Sequence, residues 1–237
     1  MKKRPLRNFL IFVLIIILIF IVWILFFKNV EKVSKDEEYI YSKLTREVNL
    51  YDDSYNLYEV KFNFESEDQK KVEQELKNIS KDKKTNEIYI ETDRCITGIT
   101  DIESKCLVSF YSNSIDTYES KNYITLIVKY EYVDLIKDVE NTFYDGYVYN
   151  FNKKDGSLVT NEDLLKEYDI DLKAEIKNAI QIADGDRTIG HKEIDYKVEE
   201  VIENKTYQLY VNDDNKLCIL GTVNTISGML EIETVIE

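Results

Sequence analysis

The sequence predicts an α+β protein: a transmembrane helix at the N-terminus, then two small modules of mainly antiparallel sheet with packed helices. Three observations carry this reading. An unbroken apolar run occupies residues 9–27, runs of alternating apolar and polar residues recur from Leu57 onwards, and stretches with apolar residues every three to four positions lie among them. The expected organisation is a cytoplasmic tail (1–8), a membrane anchor (9–27), a stalk (28–47), a first α+β module (48–118) and a second (119–237).

The anchor reads FLIFVLIIILIFIVWILFF from Phe9 to Phe27, 19 residues without charge, Gly or Pro. As a helix rising about 1.5 Å per residue it is about 28 Å long, close to the hydrocarbon thickness of a bilayer. It is apolar on every side, which is rare even for a buried helix of a soluble protein. Lys2, Lys3, Arg4 and Arg7 precede it without an acid, and mixed charges follow it. The positive-inside rule therefore places the N-terminus in the cytoplasm and everything after Lys28 outside the cell. A cleaved signal peptide has an apolar core of about 7–15 residues and small residues at the cut, whereas Phe27-Lys28-Asn29-Val30-Glu31 follows here. An uncleaved, single-pass signal anchor is expected.

In the first module, Leu57–Phe64 alternates as a half-buried strand. Ser66 with Gln69 resembles a capping box, and Val72, Leu76 and Ile79 follow at helical spacing. Short strands are expected at Glu87–Glu91, Ile96–Thr100 and Cys106–Ser112. The stalk before this module is predicted to be helical near Asp36–Leu44. In the second module, Tyr123–Val133 and Thr142–Phe151 alternate over long runs, and Asn152-Lys153-Lys154-Asp155-Gly156 is a hairpin-type turn. Thr160 with Asp163 caps a short helix. Leu172, Ile176, Ala179, Ile180 and Ala183 define an amphipathic helix that stops at Asp184-Gly185. Strands are then predicted at Tyr196–Ile202, Thr206–Val211, Leu217–Val223 and Met229–Ile236.

Composition narrows the function. The chain of 237 residues carries 31 Lys and Arg against 45 Asp and Glu, a net charge of −14. Four of the positive residues lie in the tail, so the outer part holds 27 positive residues against 45 negative, net −18. Such a surface disfavours nucleic acid, which needs clustered Lys and Arg; it reads first as a plain solvating surface, and beyond that it favours a cationic partner such as a basic protein, or bound divalent cations. One His, His191, leaves no two-His metal site or catalytic pair. Asp184-Gly185-Asp186 and Asp213-Asp214-Asn215 lack the spacing of a calcium-binding helix–loop–helix and read as turns. No cofactor or metal is expected.

Two features outside the membrane merit attention. Cys95 and Cys106 flank a segment able to fold back as a hairpin, and a disulfide is permitted there. A third cysteine, Cys218, sits in the strand Lys216–Leu220, and sequence alone does not fix the connectivity. The Tyr-rich strand offers Tyr144, Tyr147 and Tyr149 as candidate stacking residues for a sugar or peptide, although half of the rings on such a strand face a core.

An order of features carries a resemblance. The strand Tyr147-Val148-Tyr149-Asn150-Phe151 runs into a Lys154–Gly156 turn, then Leu158-Val159-Thr160 and a Glu162–Leu165 helix, a longer helix, and Thr206–Val211 leading through an Asp/Asn turn to closing strands. This order resembles the extracytoplasmic module of bacterial anti-sigma factors that sense lysozyme and of some peptidoglycan deacetylases. The segment Val139–Tyr144 departs from the Gly-rich, His-containing turn often found before that strand. The tail of eight residues holds no sigma-binding domain, and a lone His holds no deacetylase metal. The resemblance implies a fold, an extracytoplasmic address and binding of a secreted or cell-envelope partner, with no inherited enzyme activity. The alternative is a structural subunit whose helix packs in a larger membrane assembly; an envelope enzyme has no motif behind it.

Overall fold

The computed structural model describes residues 38–50, 53–63, 66–91, 100, 105–134, 143–185, 191–225 and 228–236. The anchor expected at 9–27 and the tail lie outside them. Among the described residues no helix is long and apolar enough to cross a membrane.

Residues 39–237 form one compact unit of α+β class, and every strand pairing among the described residues is antiparallel. A hairpin of β1 (Ile40–Leu50) and β2 (Asp53–Phe62) leads into helix α1 (Glu67–Lys84). A five-stranded sheet follows in the order β3-β4-β5-β6-β7, made of Ile88–Glu91, Lys105–Glu119, Tyr123–Asp134, Phe143–Asn152 and Leu158–Val159. Helices α2 (Asn161–Tyr168), α3 (Leu172–Asp184) and α4 (His191–Asn204) precede a three-stranded sheet ordered β10-β9-β8, made of Gly228–Val235, Leu217–Thr225 and Tyr207–Val211.

The boundary expected between 118 and 119 falls at the end of β4, which pairs with β5 over Ser109↔Asp134 to Glu119↔Ile124. The two expected modules share this sheet. Part of the segment expected as a stalk belongs to the fold: residues from Ile40 onwards form a strand rather than a helix, because Ile40 and Val48 reach the core while the intervening positions pair along β2. A register shift between Leu44 and Arg46 bends the hairpin.

Alternation along β5 divides the core into layers. Ile124, Leu126, Val128 and Tyr130 point towards α1 and the hairpin, where Val60, Val72, Leu76 and Phe151 join them. Ile127 points the other way, onto Tyr210, Cys218 and Leu220 of the three-stranded sheet. That sheet turns its second face, with Leu209, Ile219, Val223 and Ile232, to Leu164, Ile176, Ile180 and Val198 of the helices. Residues 123–128 of β5 are buried on both sides because both sides are covered there.

The caps read from the sequence are present. Ser66 accepts from the Gln69 amide at the start of α1, and Thr160 and Asp163 form a reciprocal capping box on α2. Gly185 ends α3 in the left-handed region, φ 55°, where a Cβ is costly. One element differs in kind: the strand expected at Tyr196–Ile202 is helix α4. Its buried residues are Ile194, Val198 and Val201, spaced by four and three, while Tyr196 is 67% exposed.

Candidate binding cleft

The β1–β2 hairpin passes the edge of β4 and touches both faces of the large sheet. Near its open end, Ile40 and Val60 join the core under α1. Near its turn, Val48 and Tyr55 pack on Leu107, Phe110 and Val133, with the Tyr55 and Phe110 rings edge-to-face at 5.3 Å. By strand alternation, Phe110 and Val133 lie on the face that also carries Tyr118 and Ile127 against the three-stranded sheet. Two walls therefore rise from one face of the large sheet, with a gap between them.

The gap is an open cavity of about 960 Å³. Its floor is made of Ser112, Ser114, Lys129 and Glu131, paired across the strands as Ser112↔Glu131 and Ser114↔Lys129. One wall is the hairpin segment Asp53–Asn56 with Ser42 and Tyr58, and Glu231 of β10 stands opposite. The floor is polar where neither layer covers the sheet and apolar on either side of that stretch. Ser112, at 5% exposure, lies at the bottom of a recess.

Several groups of the cleft are already engaged. Asn113 accepts from the Tyr58 backbone N–H at 2.7 Å and donates to the Tyr58 carbonyl at 3.0 Å, fixing the hairpin to β4. Ser112 donates to Glu131 at 3.3 Å. Lys129 donates to Glu231 at 2.8 Å and to Glu233 at 3.4 Å. Burial alone would lower the Lys129 pKa, but these two carboxylates outweigh it and the ammonium is held above its ordinary value. A lysine held charged in this way is the reverse of the neutral amine that catalysis by lysine needs. Ser42, Asn56 and Ser114 keep side-chain hydroxyl and amide groups without a partner among the described residues.

The tyrosines singled out from the sequence lie elsewhere. Tyr149 is a core residue, 7% exposed, whose hydroxyl donates to Glu75 of α1 at 3.0 Å, so its ring offers no stacking face. Tyr147 is half-buried, edge-on to Tyr130 at 5.9 Å. Both border a smaller cavity of about 300 Å³ beside β6, with Glu75, Leu158 and Gln208. Tyr144 lies in β6 opposite Glu131, and its side chain is outside the described residues. Cys106 is disulfide-bonded and Cys218 is free and buried; Cys95 lies outside the described residues.

Among the described residues no group of three or more His, Cys, Asp or Glu is placed to hold a metal ion. Asp213 and Asn215 are used as acceptors for the backbone N–H groups of Glu119 and Lys121, at 2.6 and 2.5 Å. That loop ties the end of β4 to the β8–β9 turn.

The sequence does not reveal the cleft. Its clearest trace is Ser112-Asn113-Ser114, three consecutive polar residues inside a strand whose preceding stretch, Cys106–Tyr111, is apolar except for Ser109. Comparison of the chain with family models, characterised proteins and solved structures returns no match.

Proposed function

We propose that the chain is a single-pass membrane protein whose outer unit binds a secreted protein or cell-envelope component without turning it over. The cleft carries this reading: a recessed polar floor between two walls, with free hydroxyl and amide groups and a lysine locked in its charged form. The apolar run at 9–27, with basic residues only before it, supports an anchor with residues 39–237 outside the cell. A net charge of −14 favours a basic partner and a salt-sensitive encounter. The resemblance to the modules of lysozyme-sensing anti-sigma factors and peptidoglycan deacetylases agrees in address and in the absence of a need for chemistry.

Protease treatment of intact cells, with tags at both ends, tests the placement: the C-terminal tag is lost and the N-terminal tag survives. Crosslinking of the full-length chain in its membrane tests the binding, with recovery of an envelope or secreted partner that declines as salt rises. A protected C-terminal tag, or no partner under any condition, overturns the proposal.

A further inference from the structure

We infer that the cleft takes an extended basic segment of the partner, laid as an added strand along the open edge of β4. The inference rests on the binding reading above and names the partner chemistry at the same site. β3 pairs with β4 only up to Ser109, so beyond that residue β4 has no strand on its second edge. At the β4–β5 turn the Ser120 N–H donates to the Tyr123 carbonyl at 2.9 Å. Counting back by twos, the even-numbered residues of β4 turn their backbone groups to β5 and the odd-numbered ones turn theirs to the open edge. Two points along that edge are occupied. Asn113 holds the hairpin there through Tyr58, and the Glu119 N–H is taken by Asp213 at 2.6 Å. Between them, the N–H and C=O groups of Ile115 and Thr117 have no partner among the described residues. Such an edge recognises an extended peptide through main-chain hydrogen bonds.

The cavity opens onto this stretch, with Asn113 and Ile115 in its lining, and its volume of about 960 Å³ leaves room beside the edge. Charge selects the occupant. Asp53, Asp116 and Glu131 have no basic partner among the described residues, while Lys129 is already answered by Glu231 and Glu233. Asp116 and Glu131 lie on one face of the sheet, as the pairs Asp116↔Ile127 and Ser112↔Glu131 require. An added strand presents alternate side chains to that face, so Lys or Arg at every second position meets these carboxylates. The side chains between them fall on the opposite face beside Ile115, which packs against the core under α1, and are apolar. A second copy of this chain is a poor occupant. Its own edge, Ser114–Glu119, brings Asp116 and Glu119 and no basic residue, and like charges facing each other across strands repel.

The test titrates the full-length chain in detergent with a synthetic peptide of alternating Lys and Val, followed by calorimetry at low and moderate salt. Comparison peptides replace Lys by Glu, or carry N-methyl groups on the Lys residues only or on the Val residues only. The Lys peptide binds, more weakly as salt rises, and the Glu peptide does not. Only alternate N–H groups of an added strand face β4, so one methylated peptide loses several-fold in affinity and the other binds like the parent. Thr117→Pro removes an edge N–H that lies outside the β4–β5 ladder; it weakens the Lys peptide several-fold with the circular dichroism unchanged. Should that variant not fold, the methylated peptides decide alone. An equal effect of the two methylations, preference for the Glu peptide, or silence from all the peptides overturns the inference. So does a wild-type dimer in sedimentation that Thr117→Pro makes monomeric, which assigns the edge to a second copy. Partner crosslinking is run in parallel on Thr117→Pro. If the wild type captures a partner, the variant captures it equally and no peptide binds, the edge assignment falls while the binding module stands. If the wild type captures nothing and binds no peptide, both fall.

Discussion

At Asn150 a buried amide, 3% exposed, holds two sheets at a fixed separation. Its Nδ2 donates to the Leu209 carbonyl of β8 at 2.8 Å, and its Oδ1 lies 2.8 Å from the Thr125 hydroxyl, which is also 3.1 Å from the Val211 carbonyl. Replacing it by Ala takes the Asn150 donor away from the buried Leu209 carbonyl, while the Thr125 hydroxyl keeps the Val211 carbonyl as acceptor. Such a loss costs about 1–3 kcal/mol per stranded group, so Asn150→Ala is expected to lower the urea midpoint with an unchanged slope. Cavity formation adds to the cost rather than offsetting it. Tyr149, its neighbour, was legible as a strand residue but not as a buried one. Alternation shows that rings share a face, and only the position of α1 decides that this face is the inner one.

The elements were read most faithfully where two sides of a strand or the end of a helix left a chemical mark. β5 and β6 appear as long alternating runs, and Ser66, Thr160 and Gly185 mark helix ends as their side chains or lack of one demand. β1 was hidden, because Lys43, Thr45 and Glu47 make its outer positions look like a charged stalk. Helix α4 was hidden for a different reason. Tyr196, Val198 and Ile202 fit a period of two, while Ile194, Val198 and Val201 fit a period of 3.6, and a short window satisfies both. The two readings differ in their consequences. In the helix, Tyr196→Ala on the exposed side changes stability by within about 0.5 kcal/mol, whereas Val198→Ala, 1% exposed, costs more than 1 kcal/mol. Equal effects at the two positions in chemical denaturation would restore the strand. The cleft is not legible in the sequence because its hairpin wall (42–58), its floor (112–131) and Glu231 come from three separate stretches of the chain, and Ser112-Asn113-Ser114 alone resembles any solvated strand end.

The molecule as a whole is tyrosine-rich, with 18 of them, and this sets its behaviour in alkali. Burial raises the phenols of Tyr149 and Tyr210, helped by Glu75 and Glu233 beside them, and pushes Tyr111 up to about 12. These groups stay protonated in the folded state at a pH where the unfolded chain has begun to ionise. The stability they contribute is whole below about pH 10, the ordinary phenol value, and is lost as pH rises through their folded values. A tyrosinate absorbance titration is therefore expected to show a gradual first phase from exposed rings, then a cooperative step coincident with loss of circular dichroism. A single smooth titration with native dichroism throughout would contradict it. Thiol chemistry offers a second global check. Cys218 is buried and its thiol is raised chiefly by desolvation, and Cys106 is oxidised, with Cys95 its expected partner. Alkylation is expected to label nothing in the native protein, one thiol in denaturant and three after reduction.

Among the described residues, three primary amides besides Asn150 join layers where no strand does. Asn113 clasps Tyr58, Gln208 spans Val148 N–H at 2.5 Å and the Gly146 carbonyl at 3.2 Å, and Asn161 spans Leu209 N–H at 3.0 Å and the Tyr207 carbonyl at 3.5 Å. Each amide gives one proton and takes one, as a residue of a neighbouring strand would. A carboxylate in the same place can only accept. Deamidation at these joints would turn a two-way clasp into a repulsion against a carbonyl, so chemical ageing would part whole layers from one another while each layer kept its own internal hydrogen bonds.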